Sequence, residues 1–204
     1  MNKIFNGCLL FAVALFVVMA AASLLHAAEP FVISSPAFKD GTMMPKKSSN
    51  NTAGSANCVG ENISPALNWA NPPAGTKSYA LTMVDPEGRG GSGVIHWVAY
   101  GIPVAVTGFV EGEVSKPSNK YVGGKGTAGG GAATYMGPCT GPGAPHHYTF
   151  ILIATDLEPK ELAPGFTRDD LLAVRRLSGT WTTPKRPAYR PSVFAANLAK
   201  PLST

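Results

Sequence analysis

Apolar residues fall in short runs separated by Gly, Pro, Asn and Ser, and the runs have the length and residue types of strands. Phe31 to Ser34 (FVIS) reads as a first strand. A polar, turn-rich stretch without helical period follows through Asn57. Ser78 to Val84 (SYALTMV) alternates enough for a strand and delivers Asp85 at its end. Val94 to Ile102 (VIHWVAYGI) is a third strand, interrupted by His96, and Tyr148 to Thr155 (YTFILIAT) is a fourth. Glu87 to Gly93 reads as a flexible loop and Pro103 to Ala133 as a long connection ending in a Gly-rich rim loop. Thr167 heads a helix, with Asp169 and Asp170 in its first turn and LLAVRRL behind them; Gly179-Thr180-Trp181 closes it. The pattern predicts a mainly β protein whose last segment, 182–204, is proline-rich and without clear period.

The N-terminus alters this picture. Lys3 is the one charge before an apolar run from Leu9 to Leu25, small residues continue to Ala28, and the first acid is Glu29. This predicts a secretory signal peptide over 1–27 and an exported chain, periplasmic or secreted; about 17 apolar residues also approach the length of a membrane anchor. The rest, 28–204, is long enough for one domain with a sizeable core, centred on about 31–181. Loss of Lys3 leaves 16 basic against 12 acidic residues, net +4. The basic residues are scattered pairs without interleaved aromatics, which speaks against nucleic acid and allows peripheral contact with anionic membrane surfaces. Loss of Cys8 leaves Cys58 and Cys139, which in an oxidising compartment have one pairing available; a metal site or two thiols are the alternatives.

Candidate chemistry gathers around Tyr135 to Thr155, where a Gly/Pro loop (YMGPCTGPGAP) delivers His146 and His147 to the mouth of a strand. Adjacent residues of an extended segment face opposite ways, so one of the two histidines can share a pocket with His96. Asp85 and His96 lie at the end and near the start of consecutive strands, so that pairing of the two strands as neighbours would bring them together. Three readings of such a cluster compete. A His/His/Asp zinc site lacks a close-spaced ligand pair. A hydrolase using Ser92 lacks the G-x-S-x-G elbow, because position 94 is Val94. An anion site, with imidazoles, backbone N–H groups and an orienting acid, fits the residues best. The tract GGKGTAGGGAA does not make a phosphate loop, since Lys125 is followed by Gly126.

Four ordered motifs then carry a resemblance: NISPALNW at 62–69, PPAGTKSYAL at 72–81, DPEG followed by HWVAYGIP ending at Pro103, and GPCTGPGAPHHYTF at 137–150. They resemble the phosphatidylethanolamine-binding proteins, most closely the bacterial Raf-kinase-inhibitor-like branch, over roughly residues 31–181. The resemblance implies a PEBP-like β-sandwich with a large central sheet, a smaller second sheet and short peripheral helices near the C-terminus. It implies a small pocket for phosphate-like anions or phospholipid head groups, no cofactor, no metal and no established catalysis; a protein partner, in the manner of a kinase or protease inhibitor, is the alternative role. Carried over by motif, the ligand-binding residues are Asp85, His96, His146 and Tyr148, with Gly137, Pro138, Gly141 and Pro142 as pocket wall. Some positions depart from the family's pattern. Glu87 replaces an Asp, Gly88 and Arg89 stand where Ala and Pro are usual, and His147 replaces an arginine. Loss of the proline is expected to loosen one pocket wall, and loss of the arginine to remove a supporting ion pair. The helix before Gly179 is expected to be short.

Overall fold

The computed structural model describes residues 29–55, 58–128, 133–140, 144–162, 164–177 and 192–197. Signal segment 1–27, wall residues Gly141 and Pro142, and the Gly179-Thr180-Trp181 ending lie outside them. Two antiparallel sheets carry the fold. The smaller has the order β1-β2-β5, from β1 (Val32–Ser34), β2 (Leu67–Ala70) and β5 (Gly108–Phe109). The larger has the order β6-β4-β3-β7-β8, from β3 (Ser78–Asp85), β4 (Val94–Pro103), β6 (Val122–Gly123), β7 (His147–Thr155) and β8 (Ser192–Asn197). The chain is mainly β, with two sheets and short helices.

The inner faces meet in one aromatic core. Ile33, Leu67, Trp69 and Phe109 of the small sheet pack with Leu81, Met83, Trp97, Phe150 and Leu152 of the large one. Trp69 joins the layers, meeting Tyr79 and Phe109 edge-on and donating its indole N–H to the Val106 carbonyl at 2.8 Å. Each such fully buried side chain contributes about 2–3 kcal/mol of transfer free energy. The other face of β3 and β4 is also covered, because Ala80, Val98 and Tyr100 pack against Leu162, Phe166 and Leu171. Hence β3 is buried along nearly its whole length instead of alternating in and out.

Two irregularities shape β4. Met83 pairs with Trp97 while the next residue, Val84, pairs with Ile95, so His96 is an extra residue without an opposite number. Tyr79 pairs with Ile102 and Leu81 with Ala99, which makes room for Gly101 at φ +61. A Cβ there would stand 2.3 Å from the Pro159 carbonyl oxygen, so glycine is required twice over.

Some expectations change. The connection after Pro103 contains β5, a 3-10 turn at Glu113–Ser115 and β6; two-residue strands are too short to leave a period in sequence. Glu87 to Gly93 has a defined hydrogen-bonded course, with Gly91 N–H donating to the Glu87 carbonyl and Gly93 N–H to the Gly88 carbonyl. It is a tight turn in which Arg89 (φ +52), Gly90 (+65) and Gly91 (+89) take left-handed backbone. Part of the tail is a strand: β8 pairs with β7 from His147↔Asn197 to Leu152↔Ser192. The helix Arg168–Leu177 is short, and its start is a reciprocal cap. Asp170 N–H donates to Thr167 Oγ1 at 3.1 Å, and Thr167 N–H donates back to the Asp170 carboxylate at 2.8 Å.

Candidate functional site

The site lies where the end of β3 meets the starts of β4 and β7. Asp85 ends β3, pairs with Val94, and is only 3% exposed. Its two oxygens have separate tasks. Oδ1 accepts the backbone N–H groups of Glu87 (3.0 Å) and Gly88 (2.9 Å), and so bends the chain into the turn that follows β3. Oδ2 faces His146 Nδ1 at 2.7 Å. A turn-forming role and a site role therefore coexist in one carboxylate. Gly88 is needed here, since a Cβ would meet Val94 Cγ2 at 2.6 Å and Asp85 Oδ2 at 3.1 Å.

His96 reaches the inner face through the β4 irregularity. Ile95 packs on the outer cluster and Trp97 in the inner one, while the His96 ring meets Tyr148 edge-on at 5.2 Å. Consecutive residues His96 and Trp97 thus both serve the inner side, which strict alternation forbids. His96 Nδ1 lies 3.1 Å from the Met136 carbonyl oxygen, an acceptor, so Nδ1 carries the proton. Burial holds this imidazole below the ordinary histidine range, against the opposing pull of the Met136 carbonyl and the Asp85 charge. The same logic assigns the Nδ1 proton of His146, whose partner is a carboxylate. Both rings then keep Nε2, an acceptor while neutral and a donor once protonated.

Tyr148, at the start of β7, is fully buried. Burial, then the charge of Asp85, pushes its phenol far above the usual tyrosine value, so it remains a neutral donor. Its hydroxyl lies near Asp85 and the Cys139 backbone, yet among the described residues it makes no regular hydrogen bond. Among the described residues no three His, Cys, Asp or Glu side chains are arranged to hold a metal.

The wall is a loop sewn to the segment around residues 46–62. Tyr135 O–H donates to the Ser48 carbonyl (2.7 Å), Gly137 N–H to Asn62 Oδ1 (2.7 Å), and Asn50 N–H to the Pro138 carbonyl (2.8 Å). A Cβ on Gly137 would fall 2.2 Å from the Ser48 carbonyl oxygen. Cys139 closes the seam in a disulfide with Cys58, their Cα atoms 5.0 Å apart. The Met136 carbonyl that holds His96 belongs to this sewn loop.

Sequence reasoning missed Met136, because a backbone carbonyl leaves no signature. It assigned no role to Asn62, whose left-handed φ of 54 and side chain buttress the wall; its signal was its place at the head of the NISPALNW motif. It also missed the partner of His147. Where loss of an arginine predicted a lost ion pair, His147 Nδ1 lies 2.6 Å from Glu87 Oε1, and its backbone N–H donates to Oε2 at 3.2 Å. Burial raises the Glu87 carboxyl, but the bonds from His147 outweigh it and leave it lower than usual. The wall that had lost a proline is fastened by Arg89, whose guanidinium donates to the Thr127 carbonyl at 2.5 Å.

The fold agrees with what known proteins show. Residues 34–178 match the family model described as phosphatidylethanolamine-binding protein. The chain belongs to this family. A UPF0098 protein of Aquifex aeolicus is 34% identical over 140 residues, covering 68% of this chain and 76% of that protein. LppC of Mycobacterium tuberculosis, provisionally named a lipoprotein, is 35% identical over 142 residues; the match covers 69% of this chain and 63% of LppC, under two thirds of its length. Among solved structures, Escherichia coli YbcL, titled a member of the mammalian PEBP family, superposes with TM-score 0.67 at 26% identity over 83% of this chain and 98% of that one. CT736 from Chlamydia trachomatis gives 0.64 at 28% identity, over 84% and 98%. The chain thus has the ligand-binding fold of the PEBP family.

Proposed function

We propose that this chain is an exported protein that binds a small phosphate-like anion, free or as a phosphorylated head group, between Asp85, His96, His146 and Tyr148. The observation that carries the reading is the Asp85–His146 hydrogen bond, which fixes the ring and leaves Nε2 for a ligand, with buried His96 held in the same tautomer nearby. Monohydrogen phosphate offers acceptor oxygens and one O–H, so it complements rings that act as acceptors when neutral and donors when charged. The neutral Tyr148 phenol supplies a further donor. Export is supported by the segment over 1–27 and by the provisional lipoprotein naming of LppC.

Binding is the reading the Asp85–His146 pair supports, because the carboxylate holds the ring in one tautomer with Nε2 left for a ligand. Affinity rises as pH falls, and the His96 part of that rise lies below the ordinary histidine range. Calorimetric titration with inorganic phosphate and with phosphoethanolamine tests the reading in wild type, His96→Ala and His146→Ala. Binding that survives both substitutions unchanged rules out this pocket.

A further inference from the structure

Two acid–histidine pairs join the same two segments side by side. Asp85 meets His146 on the buried side, and Glu87 meets His147 on the exposed side, where the two side chains are 42% and 56% exposed. An exposed ion pair by itself contributes little. The geometry here is different, because Glu87 binds backbone as well as side chain. Its Oε2 accepts the N–H of His147, which belongs to the peptide unit joining His146 to His147. Glu87 in turn donates its own N–H to Asp85 Oδ1.

The contacts close a ring. Asp85 Oδ2 accepts from His146 Nδ1; His146 is covalently joined to His147; His147 N–H and Nδ1 reach Glu87; and Glu87 N–H returns to Asp85 Oδ1. The inner pair fixes the His146 ring through its side chain. The outer contact fixes the peptide plane that sets where the ring begins. Without it, the start of β7 keeps its pairing with β8 at His147↔Asn197, but the peptide on the His146 side loses its hold from the turn and the ring is freer to leave Asp85.

We infer that Glu87 and His147 are positioning residues for the anion site: Glu87 grips the His146–His147 peptide so that His146 keeps the orientation in which Nδ1 faces Asp85 and Nε2 faces a ligand. This rests on the anion-binding reading above. The charged or titratable groups the contacts bring to the grip are Asp85 from the turn and His146 and Tyr148 from the β7 side. In Glu87 the lowered carboxyl keeps the grip intact until the pH falls below the usual glutamate range.

The test uses the full chain and two readouts: phosphate affinity by calorimetry, and the ring ¹⁵N signals of His146 with exchange protection of its Nδ1 proton. Glu87→Ala should weaken phosphate roughly three- to tenfold, less than the loss of a charge-assisted bond to the anion itself, because Glu87 acts through His146, and should mix the His146 tautomers. Glu87→Gln, which keeps an oxygen for the His147 N–H, should recover most of both. Wild-type affinity together with unchanged His146 signals in Glu87→Ala would overturn the inference, as would a lowered melting temperature with both readouts unmoved. If wild type itself binds no phosphate, the anion reading fails, while the His146 signals in Glu87→Ala still decide the positioning role.

Discussion

Asp85 Oδ2 and His146 Nδ1 face each other at 2.7 Å while the other Asp85 oxygen holds two backbone N–H groups. One carboxylate therefore sets both the turn after β3 and the tautomer of a ring on β7. Asp85→Asn keeps an oxygen for the turn but points an amide N–H at His146 Nδ1. The ring should then move its proton to Nε2, visible as exchanged ¹⁵N ring shifts. Loss of the charge-assisted bond should destabilise the fold by about 1.5–3 kcal/mol, read from urea unfolding. Retention of the Nδ1–H tautomer in the variant would contradict this account.

His96 makes stability depend on pH. Its folded-state affinity for a proton is lowered, chiefly by burial, relative to an unfolded value of 6.5. The unfolded chain therefore takes up the proton first on acidification. Stability from this residue is complete above about pH 6.5 and erodes as pH falls toward the lowered folded value, with a slope of at most about 1.4 kcal/mol per pH unit. His96→Gln should flatten the unfolding free energy between pH 6.5 and 5. An unchanged slope would mean that His96 protonates freely in the folded chain.

The disulfide has two consequences. Cys58 and Cys139 are 81 positions apart, and closing a loop of that length stabilises the fold by about 4.5 kcal/mol in the chain-entropy model. The bridge also closes the seam that carries the Met136 carbonyl and the Gly137–Pro138 wall. Cys58→Ser with Cys139→Ser should lower stability by about 2–5 kcal/mol and weaken phosphate well below the midpoint of unfolding, where the chain is still folded. Full affinity in the folded double variant would confine the disulfide to stability.

Gly101 gives the opposite separation. Alanine there must adopt φ +61 and displace the Pro159 carbonyl, at a cost of about 2–4 kcal/mol. The site lies at the other end of β4. Gly101→Ala should thus lower the melting temperature by several degrees and leave phosphate affinity of the folded chain within about twofold. A loss of affinity at low temperature would show that the two irregularities of β4 are coupled.

Much of this was readable from residues. Ser78–Val84 with Asp85 at its end is β3 almost to the residue, because β-branched and aromatic types sit between clear breakers, Pro72-Pro73-Gly75 and Pro86-Glu87-Gly88. The Thr167 cap was readable because Asp170 follows at capping-box spacing. The meeting of Asp85 with His146 was harder, for the partners lie 61 positions apart and their contact depends on the β3–β7 register, Val84 opposite Thr149. The inward turn of His96 could not be read from alternation, which along VIHWV places it opposite Trp97; only the motif resemblance put it in the pocket. The Glu87–His147 contact was hidden because both residues looked like losses relative to a familiar pattern. β8 was hidden because SVFAAN is short and enclosed by proline-rich sequence, and its strand character comes from the open edge of β7.

The extra residue in β4 separates the sheet from its chemistry in an unusual way. Remove position 96 outright, and the pairs Met83–Trp97 and Val84–Ile95 become neighbours in an ordinary ladder, with Trp97 still inward and Ile95 still outward. His96 is an insertion in the register, and the strand is already complete without it. A substitution at this position leaves an unpaired kink with nothing to offer, whereas a one-residue deletion would heal the strand and erase one of the two imidazoles in a single step. Length variation, more than residue replacement, is the change by which this fold could lose its site and keep its core.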